Sequence, residues 1–261
     1  MRLRIKFRKF GALRFIGHLD VMRFFQKAIR RAQIDVAYTA GFSPHQIMSF
    51  AAPLGVGITS NGEYMDIEVN SMISCEDIKE RLNKASVPGI EITGVSALPQ
   101  NAENAMASVA AAAYTVRFRK GREPEFDLFS ALPAFLAQET IPFTKETKRG
   151  IREIDLRPGI YKMILLEEDS GVKVGLEADE PFKSPSVYML VDASSAGNVK
   201  PSQILEALFA QNGQTMQGNA LMVNREELFF NTGTRDKPCF VPLDTVNEST
   251  LKEGDMLWTE N

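Results

Sequence analysis

This sequence has little thiol or imidazole chemistry to draw on. Its 261 residues include two cysteines, two histidines and one tryptophan. Two thiols cannot by themselves hold an iron–sulfur cluster, which takes four cysteine ligands. Cys75 and Cys239, far apart in the chain, fit a reducing compartment. His18, His45 and Asp20 would form an acceptable ligand set, but no short HxH or HxxxH spacing supports one, so no metal is expected. Apolar runs such as Val109–Ala113 fall far short of the roughly 20 residues a membrane helix needs. The opening Met-Arg-Leu-Arg-Ile-Lys has no apolar segment behind it, which argues against a signal peptide. P-loop, nucleophile-elbow and HExxH motifs are missing, and the glycines of Gly55–Gly62 lack dinucleotide-fingerprint spacing. These absences lead us to expect a soluble cytoplasmic protein with no membrane partner, no cofactor of its own and no motif for catalysis.

What the chain does have is charge, unevenly placed. Residues 1–50 carry ten Lys or Arg against Asp20 and Asp35, although the whole chain has a net charge of −3. Such a split suggests an electropositive face for an anionic partner, or ends that neutralise each other in the fold.

Periodicity divides the chain in two. Residues 2–8 alternate charged and apolar side chains, as a half-buried strand does. Residues 18–32 repeat apolar positions at helical spacing, with Arg23, Lys27, Arg30 and Arg31 on the other side. Strands near Val36–Thr39 and Tyr64–Val69, a helix over Ser74–Lys84 and a strand over Ile90–Ala97 complete a βαββαβ order, the ferredoxin-like unit. Small polar residues over 99–110 suggest a linker. A second unit over 111–230 is expected to repeat the pattern. It has strands at Ala113–Arg119, Ile141–Lys145, Glu153–Glu168, Val187–Val191 and Leu221–Phe230, and helices at Phe126–Gln138 and Pro201–Gln211. Residues 231–261, ending near Trp258, form an appendage. The expected class is α+β, with tandem ferredoxin-like domains and antiparallel sheets, the first (1–98) carrying the site.

Three strings concentrate the chemistry: Phe10–Asp20, Gly41–Phe50 and Arg149–Pro158. In the expected fold His18 and Asp20 stand at a helix N-terminus, where free N–H groups favour an anion, with Arg14 before it and Arg23 one turn in. His18 or His45 could also move a proton. The plainer readings are a helix-capping role for His18–Asp20 and a turn role for Ser43-Pro44-His45. Arg2, Arg4, Lys6 and Arg8 would project from the open sheet face that RNA-recognition modules of this topology use. Asp66 and Glu68, on the polar side of the third strand with Tyr64, would neutralise part of that row. Lys145, Lys148, Arg149, Arg152, Arg157 and Lys162 make a second basic segment, set against Glu146, Glu153 and Asp155.

Together these strings resemble a bacterial family of unknown function named for its linkage to radical S-adenosylmethionine (SAM) proteins. The matching segments are Gly11–Arg23, Arg30-Arg31-Ala32, Ala37–His45, Ser49–Leu54, Glu63–Asp66 and Glu153–Pro158, with Gly17 where serine is usual and Gln46 where proline is common. The resemblance implies a partner of a radical SAM enzyme, since the chain has no CxxxCxxC. We therefore expect a non-catalytic accessory that binds RNA or presents a substrate, the target being RNA or a ribosomal component. Arg4, Lys6, Arg8, Arg14, Arg23, Lys27 and Arg30 would hold phosphate, and His18, Asp20, Ser43, His45, Glu63 and Asp66 would line a pocket. A histidine-dependent RNA-processing enzyme and a protein–protein adaptor are the alternatives.

Overall fold

The computed structural model describes residues 1–147, 150–166 and 186–245. Alternation at the amino terminus produces β1 (Arg2–Lys9), with Leu3, Ile5 and Phe7 wholly buried. Over them lies α1 (His18–Arg31), burying Val21, Phe25, Ala28 and Ile29. The rings of Phe7 and Phe25 meet edge to face, 4.7 Å apart. β2 (Met48–Phe50) and β3 (Thr59–Glu68) follow. Then comes α2 (Cys75–Ala85), capped by Ser74 and buried through Ile78 and Leu82, and β4 (Ile90–Ala97). β1 pairs antiparallel with both β3 and β4, and β2 lies on the far side of β3.

The second half comprises α3 (Ala105–Ser108), β5 (Ala111–Phe118), α4 (Leu128–Leu136), β6 (Pro142–Thr147) and β7 (Gly150–Asp155). β8 (Ile160–Leu166), β9 (Ser186–Asp192), α5 (Pro201–Gln211), β10 (Leu221–Asn231) and β11 (Phe240–Pro242) complete it. β6 and β7 pair only with each other. The remaining nine strands make one sheet, with a main path β4-β1-β3-β10-β5-β9-β8. Every pairing is antiparallel except that of β3 with β10, which is parallel and short, through Thr59↔Asn224 and Ser60↔Arg225. The protein is therefore a mixed α+β structure whose two halves share a single, mostly antiparallel sheet. Two main apolar clusters pack under the helices, one in each half. No helix among the described residues is long and apolar enough to cross a membrane.

Some expectations need correcting. Val36–Thr39 is not a full strand. It makes isolated bridges to Val69 and Gln46, and Met48–Phe50 pairs with β3 instead. The strand read over 153–168 breaks at a 3₁₀ turn, Arg157–Gly159, where Pro158 cannot donate to a ladder. Residues 98–110 are packed in place, with Ala105 and Val109 buried against Tyr64, Leu228 and Leu243. Trp258 lies outside the described residues.

Candidate functional site

The polar face of β1 is covered. Arg4 is 2% exposed and donates from Nε and Nη2 to both oxygens of Asp66, at 2.8 and 3.0 Å. Its Nη1 reaches the Leu243 carbonyl and its Nη2 the Glu103 carbonyl, so segments from both ends of the second half lie over it. Lys6 donates to Glu227 at 2.6 Å and to Asp244 at 3.0 Å. Arg8 is bound to Asn61 and Glu91. Of the four β1 cations expected on an open face, Arg4 is therefore sealed in an ion pair, Lys6 and Arg8 are held by acids, and Arg2 donates to the Ala102 carbonyl. Local alternation correctly sorts side chains to two faces. It carries no information about coverage, which comes from residues about 100 and 240 positions away.

These contacts belong to a polar seam along the β3–β10 junction. Glu63 and Arg225 form a bidentate pair, at 2.7 and 2.5 Å, with side chains 6% and 4% exposed. Arg225 also donates to the Ala52 carbonyl. Burial works against its charge, but Glu63 and Tyr114 together outweigh burial and raise its pKa. Beside them Lys9, 1% exposed, donates to the Ile16 carbonyl, and burial lowers its pKa. Tyr64 donates its hydroxyl to Glu227 at 2.6 Å. Burial first, then the Glu227 carboxylate, pushes the Tyr64 phenol far above its ordinary range. Burial also raises Glu227, against the pull of Lys6. Asn61 bonds Glu226, and Thr59 bonds Asn224. Gly62 is what allows this close approach. A Cβ there would stand 2.8 Å from the Glu227 Cα and 2.9 Å from the Glu226 carbonyl oxygen. The sequence analysis does not single out Arg225 or Glu227; with β3 beginning at Thr59, Gly62 falls inside the strand, where a glycine marks a close backbone approach.

The expected pocket does not assemble. Glu63 and Asp66 lie on opposite faces of β3, each in its own ion pair. His18 packs edge-on against Phe50, with ring centroids 5.3 Å apart. His45 is exposed, its Nδ1 3.1 Å from Thr39 Oγ1 and its backbone N–H donating to the same oxygen. The chain just after His45 is fastened through Gln46 to Gln26, two turns along α1 from His18 and on the order of 12 Å away by helical rise, which sets the two imidazoles at different points along the helix. Asp20 faces Arg23 at 3.3 Å on the helix surface. Among the described residues no group of three His, Cys, Asp or Glu side chains could hold a metal ion.

The structure does assemble a different surface. On α1, Leu19, Arg23, Lys27 and Arg30 share one exposed stripe at spacings of four, four and three. Neither Lys27 nor Arg30 has an ion pair among the described residues. Arg31 donates to the Ala85 carbonyl, and Arg14 lies over the Phe15 ring. Against the helix runs the loop from Tyr38 to Gln46. Thr39 N–H donates to the His45 carbonyl, closing the loop on itself. Gln46, buried, donates to the Gln26 carbonyl of α1 and so fixes the loop beside Lys27. Ser43 is exposed at its tip, and Phe42 and Tyr38 extend into solvent. The exposed cations of α1 and the exposed rings of the loop thus lie on two elements tied together at the Gln46–Gln26 contact.

In the second basic segment Lys145 and Arg152 stand directly opposite each other on the β6–β7 hairpin. Arg157 turns inward to the Leu136 and Ile160 carbonyls. Lys148 and Arg149 lie outside the described residues.

No curated protein matches the chain. Among solved structures, one chain of "Crystal Structure of a Cbf5-Nop10-Gar1 Complex" aligns with a TM-score of 0.43 and 7% identity, over 87% of this chain and 48% of that one. A chain of "Structure of H/ACA RNP bound to a substrate RNA containing 2'-deoxyuridine" aligns with a TM-score of 0.41 and 8% identity, over 85% and 46%. The protein spans about half the length of either. Likenesses this faint establish neither a common fold nor a common role. The family models are decisive: residues 2–201 match along their length, and the chain belongs to the family described as "Uncharacterized protein conserved in bacteria (DUF2344)".

Proposed function

We propose that this protein is a non-catalytic RNA-binding accessory whose contact surface is the exposed stripe of α1 together with the 38–46 loop. One observation carries the reading: Arg23, Lys27 and Arg30 are exposed along one stripe of α1 with no buried partner among the described residues, and the loop fastened to that helix through Gln46 carries the solvent-exposed rings of Tyr38 and Phe42. Cations neutralise phosphates, and aromatic faces stack on unpaired bases. Arg23 is held only by Asp20 in an exposed pair, which contributes little and yields readily to a phosphate. His18 and His45, held apart, favour binding over proton transfer. We read each half as a ferredoxin-like unit, because β4-β1-β3-β2 and β10-β5-β9-β8 follow the same order, with the β6–β7 hairpin as an insertion. On the motif resemblance over residues 1–160, the enzyme it serves is a radical SAM protein acting on RNA or a ribosomal component.

Fluorescence anisotropy with labelled single-stranded RNA over a range of salt tests this. The wild type is expected to lose affinity steeply as salt rises, with a log–log slope near 0.7 per phosphate contacted. Arg23→Glu with Lys27→Glu is expected to flatten that slope by more than one. A salt-independent response, or an unchanged slope in the double variant, would overturn the reading. Exposed Phe15, Leu19 and Phe42 support a second reading, a protein-docking adaptor. Capture of a protein partner that survives nuclease treatment and fails with Phe42→Ala would favour it.

A further inference from the structure

We infer that the β6–β7 hairpin is a second contact arm for the sugar–phosphate backbone of RNA. The inference rests on the RNA-binding reading and adds a separate surface to it. Phe143 and Ile154, paired across the hairpin, anchor its base to the apolar cluster of the second half. One step outward on the same face, Lys145 and Arg152 are in direct register. Like charges placed opposite each other across antiparallel strands, with Cα atoms about 5 Å apart, repel and cost stability. A structure concerned only with stability would place an acid at one of the two positions. Here neither cation has a carboxylate partner among the described residues, and Glu153 falls on the other face by alternation. Every described residue of β7 except Ile154 is exposed, and the hairpin joins no other strand. A two-stranded ribbon exposed along β7, whose half-buried Lys145 and exposed Arg152 have no carboxylate partner among the described residues, fits a polyanion. With two point contacts, and with Phe143 packed against the core and not free to stack on bases, it would hold backbone without reading sequence. It would engage RNA too long for the α1 surface alone.

The test uses the full chain and single-stranded RNA of two lengths. Lys145→Glu with Arg152→Glu is expected to leave short-RNA affinity unchanged, to weaken long-RNA binding about tenfold and to reduce its salt slope by about 1.4. The single change Lys145→Glu separates binding from folding, because it converts a repelling pair into an attracting one. Its melting temperature should hold or rise while long-RNA affinity falls. An unchanged long-RNA slope in the double variant, with binding still lost on Arg23→Glu and Lys27→Glu, overturns the hairpin and spares the α1 surface. Binding lost through the hairpin but indifferent to the α1 changes does the reverse. No RNA binding by the wild type ends both.

Discussion

The seam and the α1 surface take similar charged side chains and use them in opposite ways. Along β3 and β10, Arg4, Lys6 and Arg225 are matched by Asp66, Glu227 and Glu63 with little or no access to water. On α1, Lys27 and Arg30 face solvent without an acid partner among the described residues. A buried cation must be paired, because desolvation makes an isolated charge very costly. An exposed cation can remain unpaired at little cost and stay available to a ligand. Basic residues in one short segment of sequence therefore divide by burial into those that hold the two halves together and those that can meet a partner. The division predicts stability losses without binding losses at the seam, and the converse on α1.

The strongest way to break the comparison is at Arg225. Arg225→Leu leaves Glu63 charged and sealed in, and is expected to cost about 3–5 kcal/mol, read as a lower urea midpoint. Adding Glu63→Leu should restore much of that, because the stranded charge is gone. If Arg225→Leu proves harmless, the seam is not a buried ionic junction. Next in size is Tyr64→Phe, which removes a hydroxyl donated to a carboxylate and should cost about 1.5–3 kcal/mol. The pH response follows from the same contact. Tyr64 and Lys6 both have folded pKa values above their ordinary 10.0 and 10.5. For Tyr64 the causes are burial and then Glu227. For Lys6 the Glu227 and Asp244 carboxylates outweigh burial. Groups raised in the folded state contribute stability that is complete below the unfolded value and declines as pH climbs toward the folded one. Alkaline titration should therefore destabilise the protein from about pH 10 upward, less so in Tyr64→Phe, with one tyrosine ionising only on unfolding. Gly62→Ala is expected to cost about 1–3 kcal/mol by forcing β3 away from the Glu227 backbone. A neutral result there would mean the junction has slack.

How far these features could be read in advance depends on how local their causes are. The strand at Arg2–Lys9, the helix at His18–Arg31, the strand at Ile90–Ala97 and the helix at Pro201–Gln211 follow from period and capping within each segment. The cover over Arg4 does not. It comes from the Glu103 and Leu243 carbonyls, and nothing near Arg4 in sequence signals either. The same holds for Glu63 and Asp66. Both look like pocket carboxylates in a motif, yet the fold turns them to opposite faces of one strand. Phe42 is the reverse case. It sits in the Gly41–Phe50 string among Gly, Ser, Pro and His, and what brings its exposed ring to the α1 side of the molecule is the fastening of Gln46 to the Gln26 carbonyl, which no local pattern signals.

The smallest stability effect is also the sharpest test of the comparison. Arg23→Glu combined with Lys27→Glu touches no buried group and breaks only the exposed pair with Asp20. It does bring three acids close together on successive turns, which weakens a helix by a few tenths of a kcal/mol per like-charged pair. The unfolding midpoint should thus shift by no more than about 1 kcal/mol, while RNA affinity should fall at least tenfold at low salt. Raising the salt should shrink the difference between variant and wild type, since the wild type, with more phosphate contacts, loses more electrostatic affinity. Should the variant unfold as readily as Arg225→Leu, α1's outer face would belong with the seam, its cations serving the fold. Should it keep full affinity, the positive charge of the first fifty residues would be spent on holding the molecule together, with none left for a partner.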